Sequence, residues 1–283
     1  MNLASQRLPV SRGPYQLNAE VIPGTGVPVV VMHGFPDNTH LYDRLLPHLA
    51  GHRPVVLFDF LGWGQSDKPA GYPYTAANQA GDLAAVVGAV DEHFGPGQLV
   101  LVAHDASGPP AIDWVLGNPG GVATLVLLNT YYYWTPALRR PPAIALYSTP
   151  VIRGAARAVV RRGPDLDRRL YAWQVGRFIH DPGLRTQLVP QLYEQFLPAR
   201  PAFWRLNDDL IGAVLARRRI PELRRFVPPV RVIFGAGGRY LNSRVAANFA
   251  ALFPNSELHL LDGAGHYIQV DQPQQVADLI LTG

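Results

Sequence analysis

Cysteine is absent from the 283 residues, which excludes a disulfide framework, a thiolate metal site and a cysteine nucleophile. Lysine is almost absent too: Lys68 is the single one and all other basic residues are arginines, so Schiff-base chemistry has one candidate residue. Charged residues make up 16% of the chain, against roughly a quarter in an average soluble domain. With 48% hydrophobic residues, the sequence is far from a charge-extended disordered one. No apolar run approaches the ~20 residues of a membrane span; the hydrophobic residues are broken up by 27 glycines and 27 prolines. Met1–Val10 has no apolar stretch of the signal-peptide kind. These absences point to a soluble, cytoplasmic globular protein with one sizeable core, or one core plus a lid.

What is present is unevenly spread. Between Tyr131 and Pro229 there are 17 arginines against 7 acidic residues, while the rest of the chain holds 8 basic and 14 acidic ones. A basic segment is thus set between two acidic pieces. It reads either as a solvated arginine-rich helical surface or as an attractor for an anionic substrate or an acidic partner protein. The arginines lie on no nucleic-acid reader motif, so nucleic acid is not an expected partner, and neither is a membrane. A small-molecule substrate is, with the chain a monomer or a homodimer.

Short apolar, β-branched runs bounded by turn residues recur: Val27–Met32, Val55–Phe58, Leu99–Ala103 and Thr124–Leu128, then Val230–Phe234 and Glu257–Leu261. Each is too short for a helix and too continuous for a one-sided strand, so they read as parallel strands buried on both faces. Helical periodicity fills the intervals over Leu41–Leu49, Ala76–Phe94, Ala111–Leu116, Val245–Leu252 and Gln274–Leu281. The alternation predicts an α/β fold with a mostly parallel sheet flanked by helices. It breaks between Tyr131 and Pro229, where Leu166–Ile179 and Leu184–Phe196 read as helices between Pro-rich turns. The expected organisation is a core of residues 1–130 and 230–283 with a helical cap, or lid, over 131–229.

Four stretches carry chemistry. Leu99–Gly108 runs from a strand through small-x-Asp-x-small into a helix, with Asp105 at the centre. That is the pattern of a nucleophile elbow, where a sharp turn exposes the central side chain above the sheet; an Asp here also serves as an ordinary helix N-cap. A second strand ends in His33-Gly34-Phe35-Pro36, a third in Asp59-Phe-Leu-Gly62-Trp63-Gly64, and the last in Asp262-Gly263-Ala264-Gly265-His266. No metal-ligand cluster and no phosphate-cradling loop accompanies them, so no cofactor or metal is expected. The turn Gly235–Gly238 is too slight for a nucleotide site.

In their order and spacing these motifs resemble the α/β-hydrolase superfamily, and within it the Asp-nucleophile branch of epoxide hydrolases and, more distantly, haloalkane dehalogenases. The resemblance spans Val27–Thr130 and Val230–Leu281 and is loose in the lid. It implies that Asp105 attacks an electrophilic carbon to form an alkyl ester, and that His266 activates the water that hydrolyses it. It further implies an oxyanion hole from the backbone N–H groups of Phe35 and Ala106, with Pro36 fixing that loop and His33 and His104 bonding to loop backbone. Lid tyrosines of epoxide hydrolases assist the opening oxygen. Tyr147 is the favoured match, ahead of Tyr131, Tyr132, Tyr133, Tyr171 and Tyr193, and Trp204-Arg205 is the nearest counterpart of a late aromatic-Arg pair. Trp134, Tyr193 and Trp204, with Asp37 beside Pro36, are the substrate-binding candidates and suggest a bulky apolar or aromatic substrate.

The chain departs from the family at three points. Dehalogenases resemble one another in carrying Trp after the nucleophile and often Asn after His-Gly; here those positions hold Ala106 and Phe35, which offer no side-chain donor to a halide. No lid tyrosine falls in the aromatic-Arg pair. The relay acid expected after Val230–Phe234 is replaced by Gly238, and the alternative site after Thr124–Leu128 holds Asn129. Asn129 is then the candidate for fixing the imidazole tautomer, with Asp208, Asp209 or Asp262 as substitutes. Four functions remain open on these residues. One is an epoxide-opening hydrolase of secondary metabolism using Asp105 and His266. Another is a lyase, cyclase or isomerase on a natural-product intermediate, with the same two residues as acid and base. The third is a haloalkane dehalogenase, and the fourth is a binding protein without turnover.

Overall fold

The computed structural model describes residues 4–208, 210–216 and 219–282. The strands in chain order are β1 (Gln6–Arg7), β2 (Val10–Arg12), β3 (Tyr15–Leu17), β4 (Ala19–Ile22), β5 (Val29–Met32), β6 (Val55–Phe58), β7 (Leu99–His104), β8 (Val122–Leu128), β9 (Val230–Gly235) and β10 (Ser256–Leu261). Eight of them form one sheet in the order β1-β4-β6-β5-β7-β8-β9-β10, and β2 and β3 form a separate hairpin. From β6 to β10 all neighbours are parallel, whereas β1/β4 and β4/β6 are antiparallel. The antiparallel edge lies in a stretch where the sequence shows no apolar run long enough to announce a strand.

The flanking helices are α1 (Leu46–Leu49), α2 (Ala76–Phe94) and α3 (Gly108–Gly117) before the helical segment, and α11 (Ser243–Ala250), α12 (Ile268–Asp271) and α13 (Pro273–Leu281) after it. Between β8 and β9 the chain runs through α4 (Pro142–Ser148), α5 (Arg153–Arg162), α6 (Pro164–Val175), α7 (Pro182–Phe196), α8 (Arg200–Asp208), α9 (Leu210–Ala216) and α10 (Ile220–Leu223). The helix expected over Leu41–Leu49 is instead a 3-10 turn at Thr39–Tyr42 followed by the single turn of α1. Pro47 is tolerated there because it sits in the first turn, where its missing N–H has no partner to lose.

The buried strands explain the two-sided core. Val30 and Met32 pack with Leu83 and Val86 of α2 and Ile112 of α3. Val29 and Val31 face the other way, toward Leu46 and Leu49 of α1 and Val276 and Ile280 of α13. Both faces are covered, as a parallel sheet requires. The second cluster continues into the helical segment through Phe178, whose ring lies 5.4 Å from that of Tyr267 and 4.8 Å from that of His266.

The strand order places the site. β5 is followed by β6 on one side and by β7 on the other, so connections leave in opposite directions and a crevice opens at the carboxyl ends of β5 and β7. Phe35 follows β5 and Asp105 follows β7. No helix among the described residues is long and apolar enough to cross a membrane.

Candidate active site

Asp105 sits at φ 51°, in the left-handed region. An L-residue there is strained, and the surroundings must hold it in place. Two close approaches do so. A Cβ on Gly34 would lie 2.7 Å from the Asp105 Cβ and 2.9 Å from His104 Nδ1, and one on Gly108 would lie 1.9 Å from Thr130 Oγ1. With glycine at both positions, the Thr130 hydroxyl reaches the Asp105 carbonyl and donates to it. Ser107 ties the turn to its strand, accepting from the His104 N–H at 2.9 Å and donating to the His104 carbonyl at 2.8 Å.

The two carboxylate oxygens have different surroundings. Oδ2 accepts from the Phe35 N–H at 3.3 Å, and the Ala106 N–H also holds the carboxylate. Oδ1 lies 3.6 Å from His266 Nε2. The Phe35–Pro36 peptide is cis. Burial pushes the Asp105 carboxyl up to about 6, with the Ala106 and Phe35 N–H groups pulling the other way. Burial also holds the His266 imidazole well below its ordinary value, so it is neutral at pH 7. A neutral imidazole beside a nearly ionised carboxylate is suited to accepting a proton, and the carboxylate itself is suited to nucleophilic attack.

His266 is pinned by its backbone. Its N–H donates to the Phe178 carbonyl at 2.8 Å, as does that of Tyr267 at 3.0 Å. Its carbonyl meets His104 Nε2 at 3.2 Å. Gly265 is held from both ends: Asp271 Oδ2 accepts its N–H at 2.8 Å and Asn129 Nδ2 donates to its carbonyl at 3.4 Å. Asn129 Oδ1 accepts the Gly235 N–H at 2.8 Å. Asn129 therefore joins β9 to the His266 loop, and no hydrogen bond from it to the imidazole is found among the described residues. It sits at φ 36°, completely buried, at the end of β8.

The position for a relay acid is closed. A Cβ on Gly238 would lie 2.5 Å from the Leu241 carbonyl oxygen, closer than real side chains approach. Asp208 pairs with Arg153 and Arg157, and the Asp262 carbonyl accepts from Gln272; neither forms an ion pair with the imidazole. Asp209 lies outside the described residues. Asp271 and the Phe178 carbonyl were not evident from the sequence, because nothing local distinguishes them; Asp271 holds Gly265 from α12, and the Phe178 carbonyl reaches His266 only once the helical segment folds back.

Above Asp105 and His266 lies a cavity of about 370 Å³, walled largely by apolar and aromatic residues of α4 and α6–α9. Phe35, Ala106, Tyr147, Trp134 and Trp204 all line it. Trp134 is half exposed. Trp204 is buried, with the Arg161 guanidinium 4.6 Å from its ring centre. Two other substrate-binding candidates are placed elsewhere. Tyr193 donates to Asp167 Oδ2 at 2.9 Å and does not form part of the cavity wall. Asp37 is buried and accepts from the Tyr267 hydroxyl at 2.8 Å; burial raises it to about 7, so it is half protonated near neutrality. Tyr147 reaches the wall, but its charged neighbours are Asp167, Arg200 and Arg157, and burial pushes it up to about 12. Tyr171 also lines the cavity; its hydroxyl is buried without a hydrogen-bond partner and responds to the charge of Asp37.

His33 and His104 are structural. His33 Nε2 accepts the Phe60 N–H at 3.2 Å, and Nδ1 donates to the Gly34 carbonyl at 2.7 Å. Burial holds His104 down at about 3. Among the described residues no group of three His, Cys, Asp or Glu could hold a metal ion.

A family model described as alpha/beta hydrolase fold matches residues 27–273. Haloalkane dehalogenase 2 of Mycobacterium bovis is 25% identical over 269 residues, covering 91% of this chain and 88% of the relative. A cis-3-alkyl-4-alkyloxetan-2-one decarboxylase of Shewanella oneidensis is 24% identical over 270 residues, covering 89% and 80%. Among solved structures, the haloalkane dehalogenase DatA of Agrobacterium tumefaciens C58 superposes with a TM-score of 0.78 at 22% identity, over 98% of this chain and 94% of that one. The last likeness speaks to fold alone. The chain belongs to the alpha/beta hydrolase fold family, and its relatives are enzymes.

Proposed function

We propose that the protein opens an epoxide on a bulky apolar or aromatic substrate by covalent catalysis at Asp105. The observation that carries this reading is the division of labour on its carboxylate: Oδ2 held by the Phe35 N–H, Oδ1 facing His266 at 3.6 Å. Oδ1 attacks an sp³ ring carbon, a C–O ester bond forms, and the ring C–O bond breaks. The released alkoxide takes a proton from a hydroxyl in the cavity. Tyr171 suits that role better than Tyr147, since its buried hydroxyl has no hydrogen-bond partner and is free of the Asp167, Arg200 and Arg157 charges that act on Tyr147. Water then adds to the ester carbonyl while His266 accepts its proton. The oxyanion develops on Oδ2, which already accepts from the Phe35 N–H, with the Ala106 N–H also on the carboxylate. Collapse breaks the ester C–O bond: the departing alkoxide takes the proton from His266 to complete the diol, and the remaining proton of the added water returns to the tyrosinate, which restores the carboxylate.

The choice of an epoxide over a haloalkane rests on Ala106 and Phe35, which present no side-chain N–H to a leaving halide. The mass of intact His266→Ala protein after exposure to aromatic epoxides and haloalkanes tests the reading. A gain equal to the whole epoxide supports it, and a gain equal to the alkyl group without halogen favours dehalogenation. No adduct, in a variant whose wild type turns the epoxide over, rules out the covalent step.

A second reading is favoured by the decarboxylase relative and by the closed relay-acid position at Gly238. On a four-membered lactone, Asp105 would displace the ring oxygen from its sp³ carbon and leave a free carboxylate. Loss of CO₂ would then form a C=C bond and expel Asp105 unchanged. That route consumes no water and asks little of His266, so His266→Ala would keep turnover and strand nothing.

A further inference from the structure

A second polar cluster, apart from Asp105 and His266, borders the cavity. α6 supplies Asp167, α7 Tyr193, α8 Arg200 and α4 Tyr147. Asp167 is 4% exposed, and both of its hydrogen bonds fall on Oδ2: one from the Tyr193 hydroxyl at 2.9 Å, the other from Arg200 Nη2. Oδ1 is left without a donor among the described residues. Arg200 keeps unused donors as well, since Nε is buried with no partner and Nη2 alone bonds Asp167. Its guanidinium lies 5.8 Å from the Phe196 ring centre and 6.0 Å from that of Trp204, so apolar walls limit its hydration. The Tyr147 hydroxyl forms no hydrogen bond with a described residue. Asp167, Arg200 and Tyr147 all line the cavity, and Asp105 is not among the charges that act on Tyr147.

We propose that Asp167, Arg200 and Tyr147 form a subsite for an uncharged hydrogen-bonding group of the substrate, a hydroxyl or a carboxamide. The ion pair cancels its own charge, so an anion gains little net attraction and meets the open Asp167 Oδ1. A group that both donates and accepts satisfies Oδ1 together with the spare N–H of Arg200 and the O–H of Tyr147. Buried polar groups left unpaired by an apolar ligand are what makes such a site selective. The anionic substrate suggested by the arginine surplus is thereby revised for this depth of the cavity. The substrate class is a molecule with an apolar middle, a neutral polar end at this subsite and its reactive carbon at Asp105. That orientation rests on the Asp105 reading above, whereas the subsite itself does not.

Calorimetric titration of the whole protein with three unreactive ligands of matched length tests it: phenylbutanamide, phenylbutanoate and butylbenzene. The amide should bind about tenfold tighter than butylbenzene, and tighter than the carboxylate. Asp167→Asn leaves Arg200 uncompensated and should reverse the order of amide and carboxylate. Tyr147→Phe removes a hydroxyl that supports nothing in the fold; it should weaken the amide severalfold and leave butylbenzene unchanged. If Asp167→Asn fails to fold, the Tyr147→Phe comparison still decides. A carboxylate that binds tightest in the wild type overturns the proposal, as does an amide-to-hydrocarbon ratio that Tyr147→Phe leaves unchanged. No arm reads turnover, so a failure of the chemistry at Asp105 would not imitate either result.

Discussion

The two polar clusters of the cavity are built by opposite means. Around Asp105 and His266, backbone groups hold the pair: the N–H groups of Phe35 and Ala106, in the turns after β5 and β7, meet the Asp105 carboxylate, and the Phe178 carbonyl accepts the His266 N–H. Around Asp167 and Arg200, side chains from four helices converge, and Tyr193 and Arg200 both bond to Asp167. The first arrangement keeps a carboxylate in a strained backbone conformation and pushes it toward protonation, which costs stability and provides reactivity. The second binds charge to charge and helps to join the helices. On the proposed reading, the reactive geometry rests on backbone groups and the selectivity on side chains of the helical segment.

Substitutions should separate the two. The largest effect is expected from Asp105→Ala, which removes the attacking oxygen. Turnover should fall by about 10⁴-fold or more with the fold retained, measured as product formation beside circular dichroism. Next comes Asp167→Ala, which strands the Arg200 charge in an aromatic surround. Unfolding in urea should show a loss of about 3–5 kcal/mol, with any enzyme that remains folded still forming the Asp105 adduct. Gly34→Ala is a smaller test of the first cluster. Its Cβ would push on Asp105 and His104, and a displacement of that kind should lower kcat/KM about 10²-fold while the melting temperature shifts little.

The smallest effect concerns pH. The Asp105 carboxyl titrates at about 6 in the folded protein against 3.8 for the ordinary group. Between those values the folded state binds more protons than the unfolded one, so stability falls as pH rises through the window. Asp37, raised to about 7, and Asp82, raised to about 6, contribute with the same sign. Asp105→Asn should therefore match the wild type near pH 4 and exceed it by ~2 kcal/mol at pH 8, read by denaturant titration at both pH values. Wild-type kcat/KM should rise with pH through about 6 and level off, because the carboxylate is the nucleophile and His266 is already neutral. A decline in kcat/KM through that same range would assign the working group to a protonated acid instead.

Much of this molecule was legible from its residues one after another. The parallel strands from Val29 to Leu261, the helix over Ala76–Phe94 and the turn at Asp105 each depend on a few neighbouring residues: an apolar run, a period, two small residues about an acid. Asp105, Phe35, Ala106 and His266 were candidates through the family resemblance of those stretches, before any of them had a neighbour in space. The antiparallel edge strands β1 and β4 were not, since two to four residues carry no period. Tyr193 and Asp37 look like substrate contacts in the sequence, and the fold commits them to Asp167 and Tyr267. Asn129 stands where a relay group would, and the fold turns its two polar atoms onto Gly235 and Gly265.

By itself, then, the sequence determined the parallel strands and the helical interruption after β8, and it pointed to Asp105 and His266 as candidates, because each of these is marked by a pattern within a few neighbouring residues. Only the tertiary structure decided how His266 is held without a relay acid, through Phe178, Asp271 and His104. It alone brought Asp167, Arg200 and Tyr147 to one cavity wall. Those groups come from separate helices, and contacts between distant segments follow from how whole helices pack, which no local pattern of residues records.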